Sequence, residues 1–227
     1  MIWSDCGYLL SKIKFGENSV IAEFFTENYG KISGVIYGAT SKKIKNYLQI
    51  GNKFYINYNF KNENKLGYFK IEIENSITPK FFDDKEKLSC IVSTMNLVKI
   101  LTVYNQANNN IFNLISDFFS FLIKNNWISN LIFWELELLK LIGYDLELSN
   151  MVSEEIIDGR KFFYVSNGNE KKYVPNFLVN KNYNEKNFDQ IYKGLRLVSD
   201  YLDKSILKPN NISYPKSRIE FLNLIKM

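Results

Sequence analysis

The chain has 227 residues, of which 46% are hydrophobic and 23% charged, with a formal net charge of +5, no histidine and only two cysteines, Cys6 and Cys90. This composition excludes intrinsic disorder, a collagen-like repeat and a disulfide scaffold. The lack of histidine also removes Ser-His-Asp triads, Cys-His dyads and histidine-ligated metals.

The length suits two small domains, and the charge is uneven between them. Residues 1–80 hold 11 lysines against 7 carboxylates, so +4 of the net +5 lies in the first third. That bias points weakly to a polyanionic partner, with a lysine-rich overall composition as the alternative. Met1-Ile2-Trp3-Ser4-Asp5 carries no basic leader, and no stretch of about 20 apolar residues occurs. A soluble protein with reduced thiols is expected, in the cytoplasm.

The first 80 residues alternate with period two. An opening strand near Tyr8–Lys14 leads to Val20–Phe25 and, past a polar turn ending in Gly30, to Lys31–Tyr37: a β-hairpin pattern. Phe54, Ile56, Tyr58 and Phe60 alternate with polar residues or tyrosine, and so do Phe69, Ile71 and Ile73. Five short strands with so little chain between them are best closed into a small barrel, which leaves no long open edge.

Beyond Pro79 the period lengthens. Leu88, Ile91, Val92, Met95 and Val98 mark one helix, Ile111 to Ile123 a second, and Leu131 to Ile142 a third that ends at Gly143. Short connections suggest that these three pack as an antiparallel bundle. Arg160–Val165, Asn167-Gly168-Asn169 and Lys172–Val174 suggest a small hairpin insert within about 144–184. A helix through Phe188, Ile191, Leu195, Val198 and Leu202 follows, then a short one over Ser217–Lys226. The expected fold is α+β: a barrel over 1–80 and a helical domain over 81–227 carrying a small β insert.

Gly38-Ala39-Thr40-Ser41-Lys42-Lys43-Ile44-Lys45 is the most informative segment. Three lysines within four positions, after a strand ending in Tyr37 and with no acid nearby, suit a phosphate backbone, while exposed rings such as Tyr55, Tyr58 or Tyr68 can stack bases. A solvated lysine-rich turn is the alternative. The carboxylate pairs Asp83/Asp84, Glu135/Glu137 and Glu154/Glu155 fit a helix start, an exposed face and a turn better than acid–base catalysis. No glycine-rich phosphate cradle occurs.

Trp3-Ser4-Asp5-Cys6-Gly7-Tyr8-Leu9-Leu10, then Gly16-Glu17-Asn18-Ser19, then Thr26 with Gly30-Lys31 and Gly34, together resemble the start of the RecO recombination-mediator family. Gly38-Ala39 with Ser41-Lys42-Lys43, Leu48-Gln49-x-Gly51 and Leu66-Gly67 follow in the family's order. So do Trp134-Glu135-x-Glu137-Leu138-Leu139-x-x-x-Gly143, Tyr164-Val165-Ser166 and Tyr214-Pro215-x-Ser217-Arg218. The resemblance covers nearly the whole chain.

That resemblance implies an OB-fold barrel, no enzymatic activity, binding of single- and double-stranded DNA, and annealing of complementary strands. It also implies work with RecR and with the acidic tail of single-stranded DNA-binding protein in loading RecA. DNA would meet Lys12, Lys14, Lys31, Lys42, Lys43 and Lys45, and the tail peptide would meet a groove rimmed by Lys99, Lys124 and Lys140. No cofactor is expected. The family often carries a four-cysteine zinc motif, but Met151 stands near where a cysteine would be, and no cysteine follows Cys90. An RNA-binding barrel and a protein-interaction scaffold are the competing readings.

Overall fold

The first strand, β1 (Ile2–Phe15), is long enough to serve two neighbours. Its first half runs antiparallel to β4 (Lys53–Asn59) and its second half to β2 (Ser19–Thr26), with a register shift between Leu9 and Ser11 where the strand bends from one partner to the other. Such a bulge adds curvature, which a closed sheet needs. In the computed structural model, which describes residues 2–60, 66–167 and 170–226, β2 pairs with β3 (Gly30–Tyr37), β4 pairs with β5 (Gly67–Asn75), and a short parallel contact between β3 and β5 closes the barrel in the order β1-β2-β3-β5-β4. This is the small closed five-stranded barrel that the alternation implied, and it agrees with the OB-fold that the family resemblance implied.

The interior is filled by the inward half of that alternation: Leu9, Ala22, Phe24, Ile32, Ile36, Phe54, Ile56 and Phe69 are all buried. Phe24 sits edge-on to Phe54 and Phe69, with ring centroids 5.6 and 5.1 Å away. Burying each such ring stabilises the fold by about 2–3 kcal/mol. Gly34 and Gly67 lie under Phe69 and Tyr58, where an added Cβ would fall within 2.6 Å of ring carbons.

The lysine-rich segment is not a loop throughout. Gly38, with φ of +67°, turns the chain, and Lys42–Tyr47 then forms a six-residue helix, α1. Ser41 caps it by accepting a hydrogen bond from the Ile44 amide. Turn composition concealed the helix, since Ser and Thr before a lysine run read equally well as turn and as N-cap. After β5 a 3₁₀ turn, Thr78–Phe81, leads to α2 (Lys85–Leu101), capped by Asp84 through the Lys87 amide. Next come α3 (Asn109–Leu122), α4 (Trp127–Leu141) and α5 (Leu148–Met151).

A three-stranded antiparallel sheet follows: β6 (Ser153–Ile157), β7 (Arg160–Asn167) and β8 (Glu170–Val174). β7 and β8 are the expected hairpin, whose tip at Gly168-Asn169 lies outside the described residues. β6 is additional. Glu154 and Glu155 belong to this strand rather than to a turn, and they pair with Lys161 of the adjacent β7 and Lys171 of β8, one strand further. Asp158 and Gly159, both with positive φ, make the two-residue turn into β7.

The chain continues through α6 (Asn176–Val179), α7 (Phe188–Tyr201), a π-helical stretch over Leu202–Leu207, and α8 (Lys216–Ile225). Two compact units result: residues 1–116 with 215–227, and residues 117–214. In the first, α2 packs against β1 and α8; in the second, α4 packs against α7. These pairings join helices far apart in sequence, while α3 and α4, which a short connection had suggested as neighbours, meet through Phe118 and Trp134 with ring centroids 5.7 Å apart. Glu135, expected on an exposed helix face, is only 3% exposed in α4. Among the described residues no helix is long and apolar enough to cross a membrane.

Candidate nucleic-acid interface

At one end of the barrel, Gly16 (φ +65°) turns β1 into β2, and Gly38 turns β3 towards α1. The two turns are tied together where the Thr40 hydroxyl donates to Asn18 Oδ1, 3.0 Å away. Within α1, Ile44 and Tyr47 are three residues apart and share the face that packs on the barrel core. Lys42, Lys43 and Lys45 are left exposed on the rest of its surface.

Two further lysines come from β1. Lys14 is exposed, and Lys12, two residues earlier on the same face, is half-buried. The Lys12 ammonium donates to the Leu48 carbonyl at the end of α1. Burial lowers its pKa, and the positive charge of Lys45 lowers it further, so the two side chains are electrostatic neighbours. Thus the structure gathers Lys12, Lys14, Lys42, Lys43 and Lys45 at one end of the barrel, from segments about 30 residues apart in sequence. This arrangement can neutralise several phosphates.

Lys31 does not belong with them, which corrects its place among the DNA-binding candidates. It is 5% exposed. Its ammonium donates to the Lys99 and Thr102 carbonyls at 2.6 and 2.5 Å and lies 4.2 Å from the ring centre of Tyr104. A buried ammonium must find such acceptors, because the desolvation penalty is otherwise prohibitive. Burial lowers its pKa, with Glu23 opposing.

The three partner-binding candidates also separate. Lys99 is in the first unit, on α2, with its ammonium 2.5 Å from Glu23 and 3.1 Å from the Ser11 hydroxyl, so it is occupied in the seam between helix and barrel. Lys124 and Lys140 are exposed in the second unit. Lys140 lines a cavity of about 330 Å³ with Phe133, Leu148, Leu178 and Lys181, but Glu137, Asp145 and Glu147 line it too. The cavity therefore presents an acidic peptide with no net positive rim.

The four-thiolate zinc site implied by the family resemblance does not fit these residues. Cys6 is on β1, Cys90 is buried in α2, and the stretch that would begin the motif is the short helix α5, ending in an exposed Met151. Thioether sulfur does not replace thiolate for a structural zinc. Among the described residues no group of three or more Cys, Asp or Glu side chains is placed to hold a metal.

The sequence pattern missed Phe15, which extends β1 beyond Lys14 and is paired with Ser19. Its signal was the spacing around Gly16: a turn over residues 16–18 places 15 opposite 19. Of the three tyrosines picked out as base-stacking candidates, Tyr55 is 52% exposed. Tyr58 is instead committed to Trp3 and Phe69, each with its ring centre 5.0 Å away.

Comparison with known proteins gives one consistent result. Residues 1–77 match the profile described as recombination protein O, N terminal, and residues 83–213 match recombination protein O, C terminal. A DNA repair protein RecO from Wolbachia sp. subsp. Drosophila simulans is 26% identical, covering 99% of this chain and 100% of its own length. The protein of that name from Rhodospirillum centenum is 22% identical over 98% and 94% of the two chains. That from Rickettsia canadensis is 32% identical over 71% of this chain and 66% of its own.

Proposed function

The chain belongs to the recombination protein O family, which sets it in DNA repair and recombination, and we propose that it acts there as a non-enzymatic mediator. It binds single- and double-stranded DNA and anneals complementary strands. With RecR it helps load the RecA recombinase at gaps coated by single-stranded DNA-binding protein. The site of action is the bacterial cytoplasm, at the nucleoid.

The observation that carries this reading is the convergence of Lys12, Lys14, Lys42, Lys43 and Lys45 at one end of the barrel. Annealing requires that two polyanions approach each other, and cations that cover phosphates without gripping bases remove the repulsion while leaving base edges free to pair. The DNA-handling part corresponds to the barrel, residues 1–80, and partner binding to 81–227. RecR and the tail of single-stranded DNA-binding protein are proposed on family membership; Lys124 remains exposed and available to the tail, whereas Lys140 sits among Glu137, Asp145 and Glu147.

A salt-dependent mobility shift with single-stranded DNA, duplex DNA and RNA, alongside an annealing assay with complementary oligonucleotides, tests the proposal. DNA binding that weakens steeply with salt and accelerated annealing are expected. Preference for RNA, or no nucleic-acid binding at low salt, would overturn it in favour of an RNA module or a protein scaffold.

A further inference from the structure

Phe15, Ser19 and Tyr37 stand directly opposite one another on β1, β2 and β3, so their side chains leave the same face of the sheet. At a strand spacing of about 4.8 Å the two aromatic positions are roughly 10 Å apart, with only a serine between them. Both rings are in solvent: Tyr37 is 63% exposed and Phe15 49%. On its other side Tyr37 meets Tyr68 of β5, ring centroids 6.0 Å apart and planes inclined by 54°. That inclination is not a face-to-face stack, and a broad ring surface of Tyr37 remains open.

This row borders the lysine cluster. Lys42 and Lys43 follow the Gly38 turn that leaves Tyr37, whereas Lys14, paired with Val20, leaves the opposite face of β1 from Phe15. The Thr40–Asn18 hydrogen bond holds that turn against the one following Phe15. Tyr58, by contrast, is partly buried and committed: besides its contacts with Trp3 and Phe69, its hydroxyl accepts a hydrogen bond from the Gly67 amide at 3.1 Å.

We propose that Phe15, Tyr37 and Tyr68 form a base-stacking row that takes unpaired bases of a single strand while Lys42 and Lys43 hold its phosphates. The proposal rests on the DNA-binding reading above and adds a division of labour to it. Lysines act on any phosphate backbone. Rings act only where bases are unstacked and free, and they accept any base because every base has a π-face. Duplex DNA keeps its bases stacked inside and uses the lysines alone. The barrel thereby distinguishes a single strand from a duplex by stacking, and the product of annealing is released from the row once its bases have paired.

The test uses the full chain and three fluorescent probes of equal length, about 15 nucleotides to cover one barrel: a dT strand, an abasic strand with the same phosphates, and a duplex. Tyr37→Ala is expected to weaken binding of the dT strand by about 5- to 150-fold, the range for removing one ring from beneath a base. Its affinity for the abasic strand and the duplex stays unchanged, and Tyr37→Phe restores dT binding. Because Tyr37 is mostly exposed, circular dichroism should show both variants folded. An equal loss for all three probes, or no loss for any, overturns the stacking row. If the wild-type chain binds none of the probes, the DNA-binding reading itself falls. If Lys42, Lys43 and Lys45 changed to Ala weaken all three while Tyr37→Ala weakens none, only the row falls.

Discussion

The carboxylate of Glu23 lies 2.5 Å from the ammonium of Lys99, which joins the second barrel strand to α2. The same carboxylate accepts from the hydroxyls of Ser11 and Tyr104, and Lys31 spans from β3 to the end of that helix. Burial alone would raise the pKa of Glu23, but the hydrogen bonds from Lys99, Ser11 and Tyr104 outweigh it and hold the carboxyl below its ordinary 4.5. A folded pKa below the unfolded one gives stability that is present above about pH 4.5 and is lost as pH falls through the folded value. Thermal melts between pH 3 and 7 (roughly the span set by these carboxyl values) should therefore drop steeply at the acid end. Glu23→Gln should cost about 3 kcal/mol at neutral pH, as expected when one partner of a buried ion pair is removed, and should flatten the acid limb. A variant with an unchanged limb would show that another carboxylate governs it.

Gly16 and Gly30 share nearly the same backbone, φ +65° and +68°, but not the same surroundings. A Cβ at Gly16 meets nothing within 4 Å, whereas one at Gly30 would lie 1.9 Å from the Gln106 carbonyl oxygen. Gly16→Ala should then cost about 1–2 kcal/mol, the strain of the left-handed region alone. Gly30→Ala should cost clearly more, because backbone around Gln106 must move. Urea denaturation of the two variants measures the difference, and equal losses would refute the close approach as its cause.

Replacing Lys42, Lys43 and Lys45 with Ala leaves up to three phosphates of a bound strand without a cation. The slope of log affinity against log salt for a single strand should fall by roughly 0.7 for each phosphate no longer neutralised. Lys31→Met should leave that slope unchanged and lower the melting temperature instead, since its ammonium is buried in the seam. Anisotropy titrations over a salt series distinguish them. A changed slope in Lys31→Met would return that residue to the binding surface.

Zinc should be dispensable. With Met151 at the start of the would-be motif and Cys90 the last cysteine in the sequence, a chelator should leave the melting temperature unchanged and elemental analysis should find well under one zinc per chain. Stoichiometric, tightly held zinc would mean that a ligand set of another kind exists.

The barrel was legible above all in β4 and β5, where burial alternates: Phe54, Ile56, Phe69 and Ile71 all turn inward, and a one-residue slip would have turned them to solvent. The lysine cluster was legible as composition but not as geometry. Nothing in the spacing of Lys31 distinguishes it from Lys42, because what buries it is the end of α2, which arrives about 70 residues later. β6 escaped for a related reason. Glu154 and Glu155 look like turn residues until lysines of the other two strands of the sheet neutralise them, and cross-strand pairing of that kind leaves no mark in a local window.

α8 packs on α2 and so belongs to the barrel's own unit, although the whole of residues 117–214 is inserted before it. During synthesis the ribosome must therefore deliver the entire second unit before the first can be finished, a delay on the order of ten seconds at ordinary elongation rates. For that interval the surface of α2 awaiting α8 is uncovered, including the flank where Asn96 later meets Ser217. A nonsense mutation anywhere in the inserted stretch would thus damage the nucleic-acid-handling part of the molecule as well as the helical one, and chaperone dependence in the cell should track the length of that insertion.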